Sequence, residues 1–326
     1  MKAATYTRSG PPHRLQLADV EKPVPGDAEV LIKVHAASVN PLDYHLLKHP
    51  LLRRVMSRIS KLKITAPGRD VAGTVEAIGK NVTKLKAGDH VFGACSGAFV
   101  EYACAGESAL AIKPDRVSFE QAASVPVAGL TALQGLRDRG RIQTGQKVLV
   151  NGAAGGVGTF AVQIAKSFDA EVTGVCSTRN MELVRSLGAD HVIDYTQEDF
   201  TAGGERYDLI FDLVANHSFS ENRRVLTPRG MHIRAGALAL GGSVDLLTDW
   251  IPELVLSPFV SQKFVSLLAK ANQEDLRILG ELIETGKITP VIDDRRFTLA
   301  EVNEAVSYVE EKHARGKVII KIGEDM

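Results

Sequence analysis

Short runs of β-branched and apolar residues, broken by Gly, Pro and Asp, fill the first third of the chain. The runs are EVLIKVHAASV (29–39), DVAGTVEAIG (70–79), GDHVFGAC (88–95) and AFVEYACAG (98–106). Runs of this length between turn residues are typical of strands in a compact, barrel-like domain. The N-terminal MKAATYTRSGPPHRLQL has the pattern of a first strand. The pattern therefore predicts a β-rich N-terminal domain.

Near residue 120 the pattern changes, and apolar residues take up helical spacing over 118–140. Buried-strand runs then alternate with amphipathic runs, as expected of parallel strands connected by helices. Strands are predicted at 147–150, 170–176, 191–194, 207–214, 230–236 and 263–269, and helices after the first strand and at 179–188. This alternation predicts an α/β fold with a doubly wound parallel sheet.

The last part of the chain returns to a mixed pattern. Two amphipathic stretches, 273–286 and 298–314, predict helices, and KVIIKI (317–322) predicts a strand. We expect this tail to fold back onto the N-terminal domain. The predicted domains are 1–122 with 272–326, and 123–271.

The sequence NGAAGGVGTF (151–160) forms a glycine-rich turn between a predicted strand and a predicted helix. Gly155, Gly156 and Gly158 allow the backbone to approach a pyrophosphate, and the helix directs its first N–H groups at the anion. The usual G-x-G-x-x-G is altered, because Ala153 stands at its first position. A tight turn without a ligand is the alternative, but the strand–turn–helix context favours a dinucleotide site. The predicted cofactor-binding residues of the turn are Ala154, Gly155, Gly156 and Val157.

The end of the second strand of this domain indicates which dinucleotide binds. An NAD site places a carboxylate there to bond the ribose hydroxyls, whereas this chain has Ser177, Thr178 and Arg179. A hydroxyl and a guanidinium suit a 2′-phosphate, which a carboxylate would repel. The sequence thus predicts NADPH, bound by Ser177 and Arg179, unless Arg179 only begins the next helix facing solvent. Tyr195 is predicted to lie near the adenosine, or alternatively only to end its strand.

Composition narrows the class of partners and the compartment. Lys+Arg and Asp+Glu both number 39 in the 326 residues, so global charge gives no reason to expect a nucleic-acid partner. No apolar run reaches the roughly 20 residues that span a bilayer. Cys95, Cys104 and Cys176 are too few and too scattered for a disulfide framework, which fits a reducing compartment. We therefore expect a cytoplasmic protein.

The whole layout resembles the medium-chain dehydrogenase/reductase superfamily, and within it the zinc-independent quinone oxidoreductase and alkenal/enone reductase branch. The matching stretches are ASVNPLDY (37–44), DVAGTVEAIG (70–79), KAGDHVFG (86–93), VPVAGLTALQGL (125–136), AAGGVG (153–158), SLGADHVIDY (186–195) and HARGKVII (313–320). They keep the family order over nearly the full length. The resemblance implies a GroES-like β-rich catalytic domain, a Rossmann domain with a doubly wound parallel sheet, and a homodimer.

Zinc enzymes of this superfamily carry a cysteine ligand in the loop that is SVNPLDYHLL here, and Gly-His-Glu where this chain has GRDVAG (68–73). Asn40, Arg69 and Asp70 fill those regions, and no third ligand joins His45 and His49, so no metal is predicted. Without a Lewis acid, an isolated carbonyl is a difficult target for hydride. Enones and quinones spread the developing charge over several atoms, so a few hydrogen-bond donors suffice. We therefore expect an NADPH-dependent oxidoreductase acting on quinones or α,β-unsaturated carbonyls.

The resemblance also implies the residues around the nicotinamide. Asn40 is expected near the nicotinamide ribose and the substrate carbonyl, unless it only forms a turn before Pro41. Thr131 is a candidate for contact with the nicotinamide end, or alternatively a packed helix threonine. Tyr44 is a candidate proton donor, with water as the alternative. Lys317 is expected to approach the cofactor phosphate, or to be an exposed lysine at a strand edge.

One basic amphipathic stretch, residues 46–63, does not fit this picture directly. It has six Lys or Arg residues, no acid, and apolar residues close to helical spacing. Such a helix can lie on an anionic membrane surface. A short helix whose apolar face lines the substrate site is the favoured alternative, so no membrane partner is expected. The competing function is an NADPH-binding protein with a structural, regulatory or membrane-surface role and little turnover.

Overall fold

The computed structural model describes residues 1–6, 14–48, 67–235, 260–311 and 314–323. The chain divides into two compact units. The β-rich unit comprises Met1–Val127 and Ala271–Met326, and the parallel-sheet unit comprises Ala128–Lys270. The domain boundaries predicted from the sequence lie at 122/123 and 271/272.

The described residues of the β-rich unit form two sheets. Its strands are β1 (Lys2–Tyr6), β2 (Leu15–Asp19), β3 (Glu29–Val39), β4 (Asp70–Ile78), β5 (His90–Ala94), β6 (Tyr102–Gly106), β7 (Leu110–Ile112), β14 (Ile292–Thr298) and β15 (Lys317–Lys321). β1 pairs with β2, and the larger sheet has the order β14-β15-β3-β4-β5-β7, with β6 also paired to β3. The predicted strand at 29–39 is β3, with the same bounds.

The C-terminal tail of the chain contributes directly to this larger sheet. β15 runs antiparallel to β3, with Val318 opposite Val39 and Ile320 opposite Ala37. Ile320, Ile32 and Val71 are completely buried in the same apolar cluster. The tail therefore supplies both a strand and part of the core of the β-rich unit.

Among its described residues, the helices of the β-rich unit are 5 to 12 residues long. They are α1 (Pro41–Lys48), α2 (Phe119–Ala123), α7 (Gln273–Glu284) and α8 (Val302–Glu310), while α3 (Pro126–Leu133) contains the boundary between the units. The helical spacing predicted over 118–140 is divided into α2, α3 and a π-helical turn at Gln134–Arg139. Pro126 explains the first division, because proline lacks the N–H needed inside a helix and is tolerated in the first turn.

The parallel-sheet unit confirms the predicted doubly wound fold. Its strands are β8 (Lys147–Asn151), β9 (Glu171–Cys176), β10 (His191–Asp194), β11 (Tyr207–Asp212), β12 (Leu226–Ala235) and β13 (Lys263–Leu267). All are parallel, in the order β10-β9-β8-β11-β12-β13. Among the described residues, the helices between these strands are α4 (Gly156–Ser167), α5 (Met181–Ser186) and α6 (Phe219–Arg224).

Burial explains why β8 and β11 carry apolar residues at successive positions. Val148, Leu149 and Val150 of β8 are completely buried, as are Ile210 and Phe211 of β11. Strands covered on both faces need apolar residues at successive positions, whereas strands with one wet face alternate. The carboxyl ends of β8, β9 and β10 meet at one edge of the sheet, which positions the candidate site.

Candidate functional site

The glycine-rich turn joins β8 to α4 at the carboxyl edge of the sheet. The backbone N–H groups of Gly152 and Ala153 donate to the Val175 carbonyl on β9, at 3.2 and 2.9 Å. Gly152 has φ = 90°, a left-handed conformation that favours glycine. A Cβ added at Gly158 would lie 2.1 Å from the Gly152 carbonyl oxygen. The turn therefore folds tightly against its own helix and against the neighbouring strand.

The start of α4 is suited to bind an anion. Gly155 is the N-cap residue, and no side chain caps the helix. Gly155, Gly156 and Val157 are half-buried, while Ala154 is buried. Backbone N–H groups at a helix start have no partner within the helix and carry the positive end of its dipole. This turn can therefore hold a pyrophosphate, and its backbone leaves room for close approach.

Ser177, Arg179 and Tyr195 lie at the same edge, after β9 and β10. Cys176 and Asp194 are register partners on the two strands, and the Tyr195 N–H donates to the Cys176 carbonyl at 3.0 Å. Arg179 and Tyr195 are exposed, and Ser177 is half-buried. The structure thus brings three predicted cofactor residues to adjacent strand ends, next to the glycine turn.

Asp194 is the carboxylate nearest in sequence to this group, and its hydrogen bonds hold it in place. It accepts hydrogen bonds from the Thr178 hydroxyl, from the Thr196 backbone N–H at 3.0 Å and from the Thr196 hydroxyl at 2.8 Å. The Thr178 hydrogen bond is the largest cause that lowers the pKa of Asp194. Asp194 is therefore a carboxylate that fixes the turn carrying Ser177 and Arg179.

In the β-rich unit, Asn40 belongs to a buried polar network. Its Nδ2 donates to Asp70 Oδ2 at 2.9 Å, and its Oδ1 accepts from Lys317 Nζ at 2.6 Å. Asn40 and Lys317 are each 3% exposed, and Asp70 is fully buried. These two opposite contacts fix the orientation of the Asn40 amide, because a flipped amide would face the ammonium with its NH₂ group.

Lys317 is occupied by this network. Its ammonium donates to Asn40 Oδ1, to Asp70 Oδ2 at 3.0 Å and to the Val39 carbonyl at 3.2 Å. An ammonium has three N–H donors, so none remains for the expected cofactor phosphate. The alternative of an exposed lysine at a strand edge is wrong, because the side chain is buried. Lys317 instead neutralises Asp70 and orients Asn40.

Asp43 stabilises the loop that carries Asn40. Its Oδ2 accepts the Asn40 backbone N–H at 2.8 Å, and its Oδ1 accepts the Gly68 N–H at 3.1 Å. Burial raises the pKa of Asp43 to about 6, and the nearby Asp70 carboxylate adds to this effect. The carboxylate therefore joins the loop at Asn40 to the loop at Gly68.

Tyr44 contacts a different part of the β-rich unit from the Asn40–Asp70–Lys317 network. It packs against the apolar core of the β-rich unit and lines a cavity of about 340 Å³ together with Leu47 of α1 and Val306 of α8. Burial, followed by the charge of Glu310, raises the pKa of the Tyr44 hydroxyl. A higher pKa makes this phenol a weaker acid.

The remaining predictions concern Thr131 and the basic stretch. Thr131 is buried in α3, in the parallel-sheet unit. Of residues 46–63, positions 46–48 end α1 and the rest lie outside the described residues.

Among the residues that the structure describes, no group of three or more His, Cys, Asp or Glu side chains could hold a metal ion. Within the same residues, no helix has the length and apolar character needed to span a membrane.

A second polar group at the sheet edge was not predicted. Asp212 ends β11, next to β8, and His232 lies on β12 with its Nε2 3.1 Å from Asp212 Oδ2. Both are buried. Asp212 leaves a signal in the sequence, because a carboxylate directly follows the apolar run LIF (209–211) of β11.

Comparison with known proteins places the chain in a family. The family model described as alcohol dehydrogenase GroES-like domain matches residues 26–116, and the model described as zinc-binding dehydrogenase matches residues 187–320. The first match confirms the GroES-like fold expected for the β-rich unit.

Individual relatives cover nearly the whole chain. The 2-methylene-furan-3-one reductase of Solanum lycopersicum is 35% identical over 98% of this chain and 79% of its own length. The chloroplastic NADPH-dependent alkenal/one oxidoreductase of Arabidopsis thaliana is also 35% identical, with the same two coverages of 98% and 79%. The structure of the quinone oxidoreductase from Coxiella burnetii superposes with a TM-score of 0.86 at 32% identity, and 99% of each chain is covered. The chain belongs to the medium-chain dehydrogenase/reductase superfamily, among its quinone oxidoreductases and alkenal/enone reductases.

Proposed function

We propose that this chain is an NADPH-dependent, zinc-independent oxidoreductase that transfers hydride to quinones or α,β-unsaturated carbonyls. The observation that carries the proposal is the sheet edge at which the glycine turn, Ser177 and Arg179 meet, with no carboxylate among residues 177–179. The names of the Arabidopsis and Coxiella relatives support the same cofactor and the same two substrate classes.

Each part of the sheet edge has a proposed role toward the cofactor. The backbone of Ala154, Gly155, Gly156 and Val157 holds the pyrophosphate, as the uncapped start of α4 supports. Ser177 and Arg179 bind the 2′-phosphate through a hydroxyl and a guanidinium, Tyr195 lies along the adenosine, and Thr131 contacts the nicotinamide end. When bound, NADPH supplies the hydride.

Asn40 is the proposed catalytic residue on the substrate side. Hydride addition to the β-carbon of an enone moves the carbon–carbon π electrons toward the carbonyl oxygen and gives an enolate. The Asn40 Nδ2 carries two N–H bonds, and Asp70 accepts one of them. We assign the second to the substrate oxygen. A donor held in advance by Lys317 and Asp70 needs no reorganisation when the charge develops.

Water is the proposed source of the proton that converts the enolate to the saturated ketone. Tyr44 is the alternative from the sequence, but its contacts are with the apolar core and with α8, whereas Asn40 contacts Asp70 and Lys317. The proton is added at the α-carbon, which leaves one hydride and one proton added across the double bond.

Zinc independence rests on the chemistry of the donors near Asn40. Asparagine and arginine are not zinc ligands in such sites, and the Asp70 carboxylate already faces the Lys317 ammonium at 3.0 Å. Metal analysis of the active protein tests this part of the proposal. Zinc bound at one ion per chain, with activity lost when it is removed, would contradict it.

Following the absorbance of NADPH with a panel of enones and quinones tests the activity. We expect consumption with at least one substrate and a lower KM for NADPH than for NADH. Binding of NADPH without consumption across the panel would favour the alternative, an NADPH-binding protein with little turnover. Failure to bind either nucleotide would refute the proposed site.

A matched pair of arginine variants tests the choice of cofactor. Arg179→Ala removes the proposed 2′-phosphate contact and should weaken NADPH binding about 10- to 100-fold, the range expected for a charge-assisted hydrogen bond. Binding of NADH should change little. Arg185→Ala is the control, because Arg185 is an exposed residue of α5 that pairs with Glu182 at 2.6 Å. Equal effects of the two variants would contradict the assignment.

We propose a cytoplasmic homodimer. Cys95, Cys104 and Cys176 are free thiols, which supports a reducing compartment, and the family resemblance supports the dimer. Fractionation of cells and light scattering of the purified protein test the two statements separately. A monomer at micromolar concentration, or protein recovered in an organelle, would contradict the corresponding statement.

A further inference from the structure

The strand order of the parallel-sheet unit locates a crevice at the end of β8. From β8 the chain proceeds to β9 and β10 on one side, and β11, β12 and β13 follow on the other. Doubly wound sheets bind their ligands outside the carboxyl ends of the strands at such a reversal. The glycine turn follows β8 and the loop 213–216 follows β11, so the two lie next to each other at this reversal.

The Asp212 carboxylate holds that loop by its backbone. Oδ1 accepts the N–H groups of Val214 at 3.1 Å and Ala215 at 2.9 Å, and the Asn151 amide at 2.9 Å. Asp212 is 1% exposed, so these hydrogen bonds are shielded from water and strong. Asn151 is the last residue of β8, which links the loop to the strand that carries the glycine turn.

The loop adopts a conformation that needs such support. Ala215 has φ = 54°, and a left-handed backbone is unfavourable for a residue with a Cβ. The side chain of Val214 lies against the glycine turn, since a Cβ added at Gly152 would be 3.0 Å from Val214 Cγ2. Asp212 thus holds a strained loop directly beside the turn.

His232 holds the carboxylate from the opposite side. Its Nε2 lies 3.1 Å from Asp212 Oδ2, and its ring is 1% exposed. Burial by itself would raise the pKa of Asp212, but the hydrogen bond and charge of His232, together with the loop N–H groups, lower it to about 2. Asp212 therefore stays a carboxylate, which accepts from the loop with one oxygen and faces His232 with the other.

We propose that Asp212, oriented by His232, is a positioning residue that fixes loop 213–216 against the nicotinamide half of the dinucleotide. The inference rests on the proposed NADPH site. The topology indicates which half of the dinucleotide lies at this loop. Ser177, Arg179 and Tyr195, the proposed contacts of the adenosine half, follow β9 and β10, and these strands lie on the other side of β8 from β11. An extended dinucleotide across the reversal therefore directs its nicotinamide half toward the β11 loop.

Two ligands separate this role from general damage to the fold. NADPH reaches both halves of the crevice, whereas adenosine 2′,5′-bisphosphate contains only the adenosine end. Asp212→Ala should raise the dissociation constant of NADPH about tenfold or more, because affinity falls with the fraction of protein whose loop is in the binding conformation. The dissociation constant of the fragment should stay within about twofold. Calorimetry measures both.

Asp194→Asn is the matched control on the adenosine side. Asp194 holds the turn at Ser177 and Arg179, so this variant should weaken both ligands by similar factors. If Asp212→Ala does not fold, Asp212→Asn keeps the side-chain volume and one acceptor oxygen, and should show the same selective loss at smaller size. Parallel weakening of both ligands by the Asp212 variants, or no weakening of either, would overturn the proposal. Wild-type protein that binds neither ligand would refute the NADPH site itself.

Discussion

Gly158 is the position of the glycine turn at which a single methyl group should be most damaging. Its added Cβ would lie 2.1 Å from the Gly152 carbonyl oxygen and 2.8 Å from both the carbonyl carbon and the Cα of Ala153. All three atoms are backbone, so no side chain can rotate away. The turn itself would have to move from the start of α4. Overpacking of a rigid site lowers the free energy of unfolding by about 1–3 kcal/mol. We expect the loss for Gly158→Ala to lie at the upper end of that range.

Thermal unfolding of the purified protein measures this cost. For a domain of about this size, 1 kcal/mol corresponds to roughly 2–4 °C, so a loss of about 3 kcal/mol should lower the Tm of the parallel-sheet unit by roughly 6–12 °C. Binding of NADPH should weaken as well, because the displaced turn no longer presents its N–H groups to the pyrophosphate.

Gly155→Ala is the matched control in the same turn. Gly155 has φ = −79°, which alanine adopts freely, and its added Cβ would be 3.5 Å from the nearest atom, an ordinary contact. The free energy of unfolding should therefore change by no more than about 0.5 kcal/mol. An N-cap prefers glycine to alanine by about 1 kcal/mol, but the lower conformational entropy of an unfolded chain with alanine offsets most of that loss. The methyl group would still face the approaching phosphate, and NADPH affinity should fall. A stable Gly158→Ala protein, or an equally destabilised Gly155→Ala protein, would refute this account of the turn.

Three further predictions concern the β-rich unit. Lys317→Met leaves the buried Asp70 carboxylate without its cation, so the free energy of unfolding measured in urea should fall by about 3–5 kcal/mol. The kcat should fall as well, with little change in the KM for NADPH. A change confined to that KM would contradict the assigned role. Burial raises the pKa of Asp43 from its ordinary 3.8 to about 6. Between these two pH values the folded state keeps a proton that the unfolded state has lost, so the free energy of unfolding falls by about 3 kcal/mol as the pH rises from the lower value to the higher. Asp43→Asn should lack this dependence, and parallel pH profiles of the two proteins would show the reasoning to be wrong. Ser118→Ala removes the capping box in which the Ser118 hydroxyl accepts the Gln121 N–H at 3.1 Å. The free energy of unfolding measured in urea should fall by about 1 kcal/mol, and no measurable loss would mean that α2 is held by packing alone.

Local pattern was sufficient to predict most of the elements. β3 and β10 have the predicted bounds, and β8, β9 and β15 differ from prediction by a residue at most at either end. Strands buried on one or both faces leave a clear trace in sequence, because each position must suit its side of the sheet. The break between α2 and α3 was missed because the helical spacing continues through it, although Pro126 marks the start of the second helix.

The candidate site was predictable only where one segment of chain contains all its parts. The glycine turn is such a segment, since strand, turn and helix are contiguous. The adjacency of Ser177 and Tyr195 needed only the pairing of two consecutive parallel strands. Asp212 and His232 were missed because the contact between them depends on the register of β11 against β12, which sets Ile210 opposite His232 and Asp212 opposite Arg234, and the pattern within either strand does not reveal that register.

Lys317 shows why the polar network of the β-rich unit could not be read from the sequence. It contacts Asn40 from 277 residues away, and only the antiparallel pairing of β15 with β3 brings the two together. At the start of a predicted strand, a lysine is expected to face solvent or a ligand anion. A buried lysine is tolerated here because Asp70 supplies the opposite charge and because all three of its N–H groups have acceptors. The same contacts that account for its burial also leave Asn40 a single orientation, so the stability of this network and the direction of the proposed catalytic donor depend on the same three side chains.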